Sequence, residues 1–105
     1  MITLCLRYTI DPNKLAEFAD YAAKEQIPIR ESGGKVVGYF IPTDFAGATN
    51  EALGLIDFAS LADYEVYRAK LAAHPLHKRN AAKLEEARAV FSTQRSLILR
   101  VEAKE

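Results

Sequence analysis

From Ile2 to Ile10 the chain alternates, with Ile2, Leu4, Leu6, Tyr8 and Ile10 on one side and Thr3, Cys5, Arg7 and Thr9 on the other. A period of two predicts a strand with one apolar and one mixed face. Asp11-Pro12 then ends the strand and opens a helix, Asp as N-cap and Pro at the first helical position. Leu15, Phe18, Ala19 and Ala22 recur at helical spacing, and Asp20 stands four residues before Lys24 as a favourable pair. Pro28 is expected to kink or restart this helix, and Ser32-Gly33-Gly34 to close it.

The second half repeats that order. Lys35 to Ile41 reads as a strand, residues 42–50 as a polar, Gly-containing loop, and Glu51 to Phe58 as a third strand. Ser60, with Asp63 three residues on, caps a helix whose stripe is Leu61, Tyr64, Arg68 and Leu71. His74-Pro75 breaks it. A further helical stretch is expected from about Leu76 to Phe91, with Ala81, Leu84, Arg88 and Phe91 in register, before a last strand over Gln94–Val101.

Strand, helix, strand, strand, helix, strand is the βαββαβ order of the ferredoxin-like α+β fold. Right-handed crossovers place the helices on one face of a four-stranded antiparallel sheet. The strands at 35–41, 51–58 and 97–101 are nevertheless apolar on both faces. Helices cover only one, and a large bare apolar face is rare in a soluble monomer. The pattern therefore predicts a homodimer packed sheet against sheet. At about 25 cal/mol per Å², burying several hundred Å² of apolar surface supplies many kcal/mol before association costs are subtracted.

Composition narrows this little. A chain of 105 residues, half of them hydrophobic, fits a single domain over 1–105 with its own core. Fourteen basic and fourteen acidic residues cancel, which argues against nucleic acid as the main partner. Between Arg68 and Arg100, eight Lys or Arg face only Glu85 and Glu86, a pattern read as a solvated helix face. The lone Cys5 excludes an internal disulfide, no signal-like leader is visible, and no apolar run is long enough for a membrane span. A soluble, cytoplasmic protein is expected.

Arg7 is the first candidate for chemistry. It lies on the strand face opposite the apolar stripe, beside Thr3 and Cys5, and so points into the space between the two sheets. A buried guanidinium needs a partner, either an anionic ligand or an internal acid such as Asp57. Tyr39, Phe40 and Asn50 are expected to line the same space, with Tyr39 alternatively an ordinary core aromatic. Arg100 shares the face near a strand end, where solvation is the plainer reading. Cys5 is a thiol two residues from a guanidinium, or simply a small hydrophobe. His74 and His77, three apart around Pro75, lack a third ligand nearby, so helix-junction contacts or a lone proton carrier are read rather than a metal site. No Gly-rich phosphate loop, hydrolase triad or cofactor motif is present.

Several segments together resemble the NIPSNAP family. They are Leu6–Ile10 with Asp11–Phe18, Gly33–Phe40, Asn50-Glu51 before the third strand, Ser60–Glu65, and Arg95–Arg100. They follow the family's order over nearly the whole chain. The resemblance implies a dimeric α+β barrel, two ferredoxin-like sheets facing each other around a central space. Departures fall at Gly54 and Ile56, where relatives often carry His and Trp, and at His77, where they tend to have an aromatic residue. Three readings follow: a dimer holding a small, mostly apolar molecule between its sheets; a cofactor-independent oxygenase or isomerase of aromatic or quinone-like substrates; and, last, a macromolecular partner on the basic 68–100 segment.

Overall fold

The computed structural model describes residues 1–104. Its elements are β1 (Ile2–Ile10), α1 (Leu15–Glu31), β2 (Lys35–Phe40), β3 (Glu51–Phe58), α2 (Leu61–Ala73), α3 (Pro75–Ala87) and β4 (Val90–Leu99). The strands form one antiparallel sheet in the order β2-β3-β1-β4. This is the ferredoxin-like arrangement, with the second helical segment split in two at His74-Pro75.

The Asp11-Pro12 signal produces a single 3₁₀ turn, Pro12–Lys14, before α1 begins. The Asp11 carboxylate accepts from the Asn13 amide at 2.9 Å. Pro28 neither ends nor restarts the helix. It lies three residues from the C-terminus, where its missing N–H removes one hydrogen bond, and its ring is buried. Gly33 then takes φ 108°, and the Gly34 amide reaches back to the Ile29 carbonyl at 2.9 Å. Gly34 also has to be small: a Cβ there would lie 2.8 Å from Ile29 Cγ2 and 2.9 Å from Ile56 Cγ2.

Several boundaries differ from expectation, among them the end of β4 at Leu99 rather than Val101. α3 stops at Ala87, and Ala89, Val90 and Phe91 belong to or lead into β4, which starts four residues earlier than its alternation suggests. The apolar run 89–91 fits a helix by period alone. Arg88 at φ 53° breaks that register, and the Asp11 amide captures the Ala89 carbonyl at 2.8 Å. β2 stops at Phe40, one residue short, because Pro42 follows.

The core lies between the sheet and the helices. Leu4, Ile10 and Ile56 from the strands meet Phe18 and Ile29 from α1, all nearly sealed from solvent. Phe58 packs on Tyr64 and Tyr67 of α2 at ring separations of 5.3 and 4.7 Å. Those tyrosines, rather than Leu61 and Arg68, form the inward stripe of α2. Arg68 instead lies 6.0 Å over the Tyr64 ring. Among the described residues no helix is long and apolar enough to cross a membrane.

Candidate functional site

Among the described residues no helix covers the second face of the sheet. Cross-strand register lines up Phe40, Leu53, Arg7 and Gln94 in one row, Gly38, Leu55, Cys5 and Ser96 in the next, and Lys35, Asp57, Thr3 and Ile98 in a third. Phe40 and Ile98 remain 49% and 47% exposed. Arg7 is exposed, and among the described residues it joins no ion pair.

Asp57, the internal acid open to Arg7, is engaged elsewhere. Thr3 donates its hydroxyl to it at 2.6 Å, and Arg100 donates from Nη2 at 2.9 and 3.0 Å to its two oxygens. Asp57 sits in the row two residues along β1 from Cys5, and Arg100 reaches it from just beyond β4. So Arg100 carries the structural pairing and Arg7 is left over. A hollow of about 230 Å³ lies beside Arg7, bounded by Phe40, Leu53, Glu51 and the loop at Pro42 and Ala46.

Tyr39 turns the other way. The ladder pairs Val36 with Ile56 but Gly38 with Leu55, so Val37 is an extra residue in β2. A one-residue slip exchanges the faces. Tyr39 thereby faces the helices and Phe40 takes the open face, where simple alternation puts Tyr39 beside Leu53. Gly54 makes the inward turn possible, since a Cβ there would stand 2.8 Å from the Tyr39 ring. Asn50 ends the 42–50 loop, its carbonyl accepting from the Ile10 amide at 2.8 Å.

Beneath the helices, polar groups converge on Glu25, which is 2% exposed. His77 Nδ1 lies 2.5 Å from one oxygen, Asn80 donates to the other at 3.2 Å, and Tyr21 donates its hydroxyl at 3.4 Å. A buried carboxylate held by three partners ties α3 to α1. His74 is separate. Its Nε2 meets Glu31 at 2.7 Å while Nδ1 accepts from the Leu76 amide, capping α3. The two histidines therefore serve different acids. Next to Tyr21, the Tyr8 and Tyr39 hydroxyls approach to 3.4 Å. Burial pushes the pKa values of Tyr8, Tyr21, Tyr39 and Tyr67 up; at Tyr8 the hydrogen bond to Tyr39 and the Arg95 guanidinium partly oppose it.

Glu25, Asn80 and Tyr21 are missed by sequence reasoning, which reads α1 for its apolar stripe. The signal is there in the spacing: Tyr21 and Glu25 are i,i+4, and His77 and Asn80 are i,i+3 on the facing helix.

The NIPSNAP family profile matches residues 4–103, almost the whole described chain. The chain belongs to the NIPSNAP family. This NIPSNAP chain is similar to a NIPSNAP-like domain protein of Burkholderia xenovorans, with 28% identity over 99% of this chain and 88% of that one and a TM-score of 0.80. A NIPSNAP family protein of Agrobacterium tumefaciens matches at 24% identity over 96% and 93%, TM-score 0.78. A putative antibiotic biosynthesis monooxygenase of Nitrosomonas europaea shares the NIPSNAP chain's fold at 9% identity, covering 97% and 100%, TM-score 0.72. No curated protein is matched.

Proposed function

We propose that this NIPSNAP domain works as a homodimer, sheet facing sheet, and that it binds a small, mostly apolar molecule in the space so enclosed. The observation that carries the reading is the uncovered face. Phe40, Leu53, Leu55 and Ile98 present a half-exposed apolar surface around Arg7, a guanidinium without an acid partner among the described residues. A stable interface takes about 800 Å² from each partner, and a four-stranded face supplies an area of that order. Once covered, Arg7 requires an anionic or polar group beside it, which a ligand carboxylate, phenolate or quinone oxygen provides. The hollow between Arg7, Phe40 and Leu53 is where that group belongs. Cys5 lies one row away, and a reducing cytoplasm suits a lone thiol there.

Sedimentation at micromolar concentration tests the pairing. A dimer is expected, and a monomer ends the reading. Titration with a phenol and a naphthoquinone then tests the pocket, with binding weakened about tenfold or more in Arg7→Ala. Unchanged binding in that variant removes Arg7 from the site.

A second reading draws on the likeness to the putative monooxygenase of Nitrosomonas europaea. On that reading the domain oxidises or isomerises an aromatic substrate without a cofactor, a step from fold to chemistry that is analogy. Oxygen uptake during the same titrations favours it. Binding without turnover favours a carrier or sensor.

A further inference from the structure

The geometry points to a second site, on the helix-covered side of the sheet, where a hollow between α3 and β4 would take a small planar anion such as an aromatic carboxylate or phenolate. The hollow encloses about 440 Å³, within the range of roughly 300–1,000 Å³ usual for small-molecule pockets. Tyr8 and Tyr21 form its floor, Leu84 an apolar wall, and Arg88 and Arg95 bring two guanidiniums against one acid, Glu85. Neither arginine joins an ion pair among the described residues.

Arg95 is exposed on the edge strand β4, with its residue position on the helix-facing side. Register puts it beside Leu6, in the row completed by Gly54 and Tyr39, which faces the helices and is otherwise uncharged. Its charge reaches inward far enough to act on both Tyr8 and Tyr67. The planar fork of a guanidinium suits a carboxylate better than water alone does.

Arg88 adds an independent observation. It is the one described non-glycine residue with positive φ, at 53°, just past the end of α3. Glycine is the usual occupant of such a position, and a side chain there costs of order 1 kcal/mol in strain. The backbone is thus held against preference with a guanidinium at the rim of the hollow.

The floor is suited to the same ligand. Tyr8 and Tyr21 stay neutral phenols at physiological pH, so they flank an anion without repelling it. Glu25 lies behind Tyr21 and is enclosed by His77, Asn80 and that hydroxyl. This site and the Arg7 surface lie on opposite faces of one sheet and stand or fall separately.

A backbone-amide NMR titration of the intact protein with 4-hydroxybenzoate tests it, with 4-hydroxybenzyl alcohol as the uncharged match. Shifts are expected at Tyr8, Tyr21, Thr93 and Arg95, weakening with added salt, and the alcohol should bind at least about tenfold less tightly. Arg95→Gln should weaken the acid about tenfold. Arg88→Gly should do likewise while leaving the fold intact, because glycine takes that φ without strain. Equal affinity for acid and alcohol, undiminished binding in both variants, no saturable shift at millimolar concentration, or shifts confined to Cys5, Arg7 and Leu53 would each overturn the assignment. The last of these would leave the Arg7 surface standing.

Discussion

On the helix side of the sheet, Leu4, Ile10 and Ile56 are closed off by Phe18 and Ile29, and the buried acid there has three partners. On the other side, Leu53 and Leu55 of the same strand stay half-buried beside Phe40 and Ile98, and among the described residues Arg7 has no acid to answer it. The first face is largely finished within one chain, its buried acid held and its apolar groups packed. The second mixes apolar side chains with polar ones such as Arg7, Gln94 and Ser96 and leaves Phe40 and Ile98 about half exposed. The difference teaches that one sheet holds the chain together through one face only, and on the proposed reading offers the other to a second copy.

Adjacent residues of β3 can break that contrast most sharply. Ile56→Ala should cost about 3–4 kcal/mol in denaturant unfolding, because a fully enclosed side chain leaves a cavity. Leu55→Arg should cost the monomer about 1 kcal/mol or less but shift sedimentation from dimer to monomer. Equal stability losses with no change in assembly would show that the two faces do not differ in kind. Next in size is Glu25→Ala, which strips His77, Asn80 and Tyr21 of their common partner. A loss of about 2–3 kcal/mol is expected, and a loss below about 0.5 kcal/mol would mean the cluster does not fasten α3 to α1.

The last contrast is a pH dependence confined to the helix side and expressed only at alkaline pH. Tyr21, Tyr39 and Tyr67 hold their protons more tightly folded than unfolded, because burial disfavours the phenolate. The unfolded chain releases them near pH 10, so above that pH it binds fewer protons than the folded one. Stability from this source is therefore full below about pH 10 and falls as pH rises further, by about 1.4 kcal/mol per unit for each tyrosine. Urea midpoints from pH 9 to 11, read with phenolate absorbance, check it. Phenolate appearing equally early in folded and unfolded protein would contradict the burial.

Element order, the family and the strand-by-strand layout were legible because periods of two and of 3.6 are strong where side chains alternate cleanly, as in β1. The face of Tyr39 was not, since a single bulged residue at Val37 reverses alternation and carries no mark in the sequence beyond a glycine beside it. The end of α3 was misread for a related reason: Ala89, Val90 and Phe91 suit either period, and an Arg in a left-handed conformation gives none of the warning a Gly would. Arg7 was correctly placed on the uncovered face by alternation alone. That Asp57 belongs to Arg100 needed the register, which joins residues far apart in sequence.

The position of β1 has a bearing on how the chain comes to fold. It lies inside the sheet, with Ile2 opposite both Phe58 and Leu99. During synthesis β1 must wait, one edge unsatisfied, until β4 emerges to close it. Contacts so remote in sequence slow folding and lengthen the time an edge stands open to a neighbouring chain. A ribosome stalled before Val90 would therefore hold out a nearly complete sheet lacking one margin, the state most prone to pair with the wrong strand.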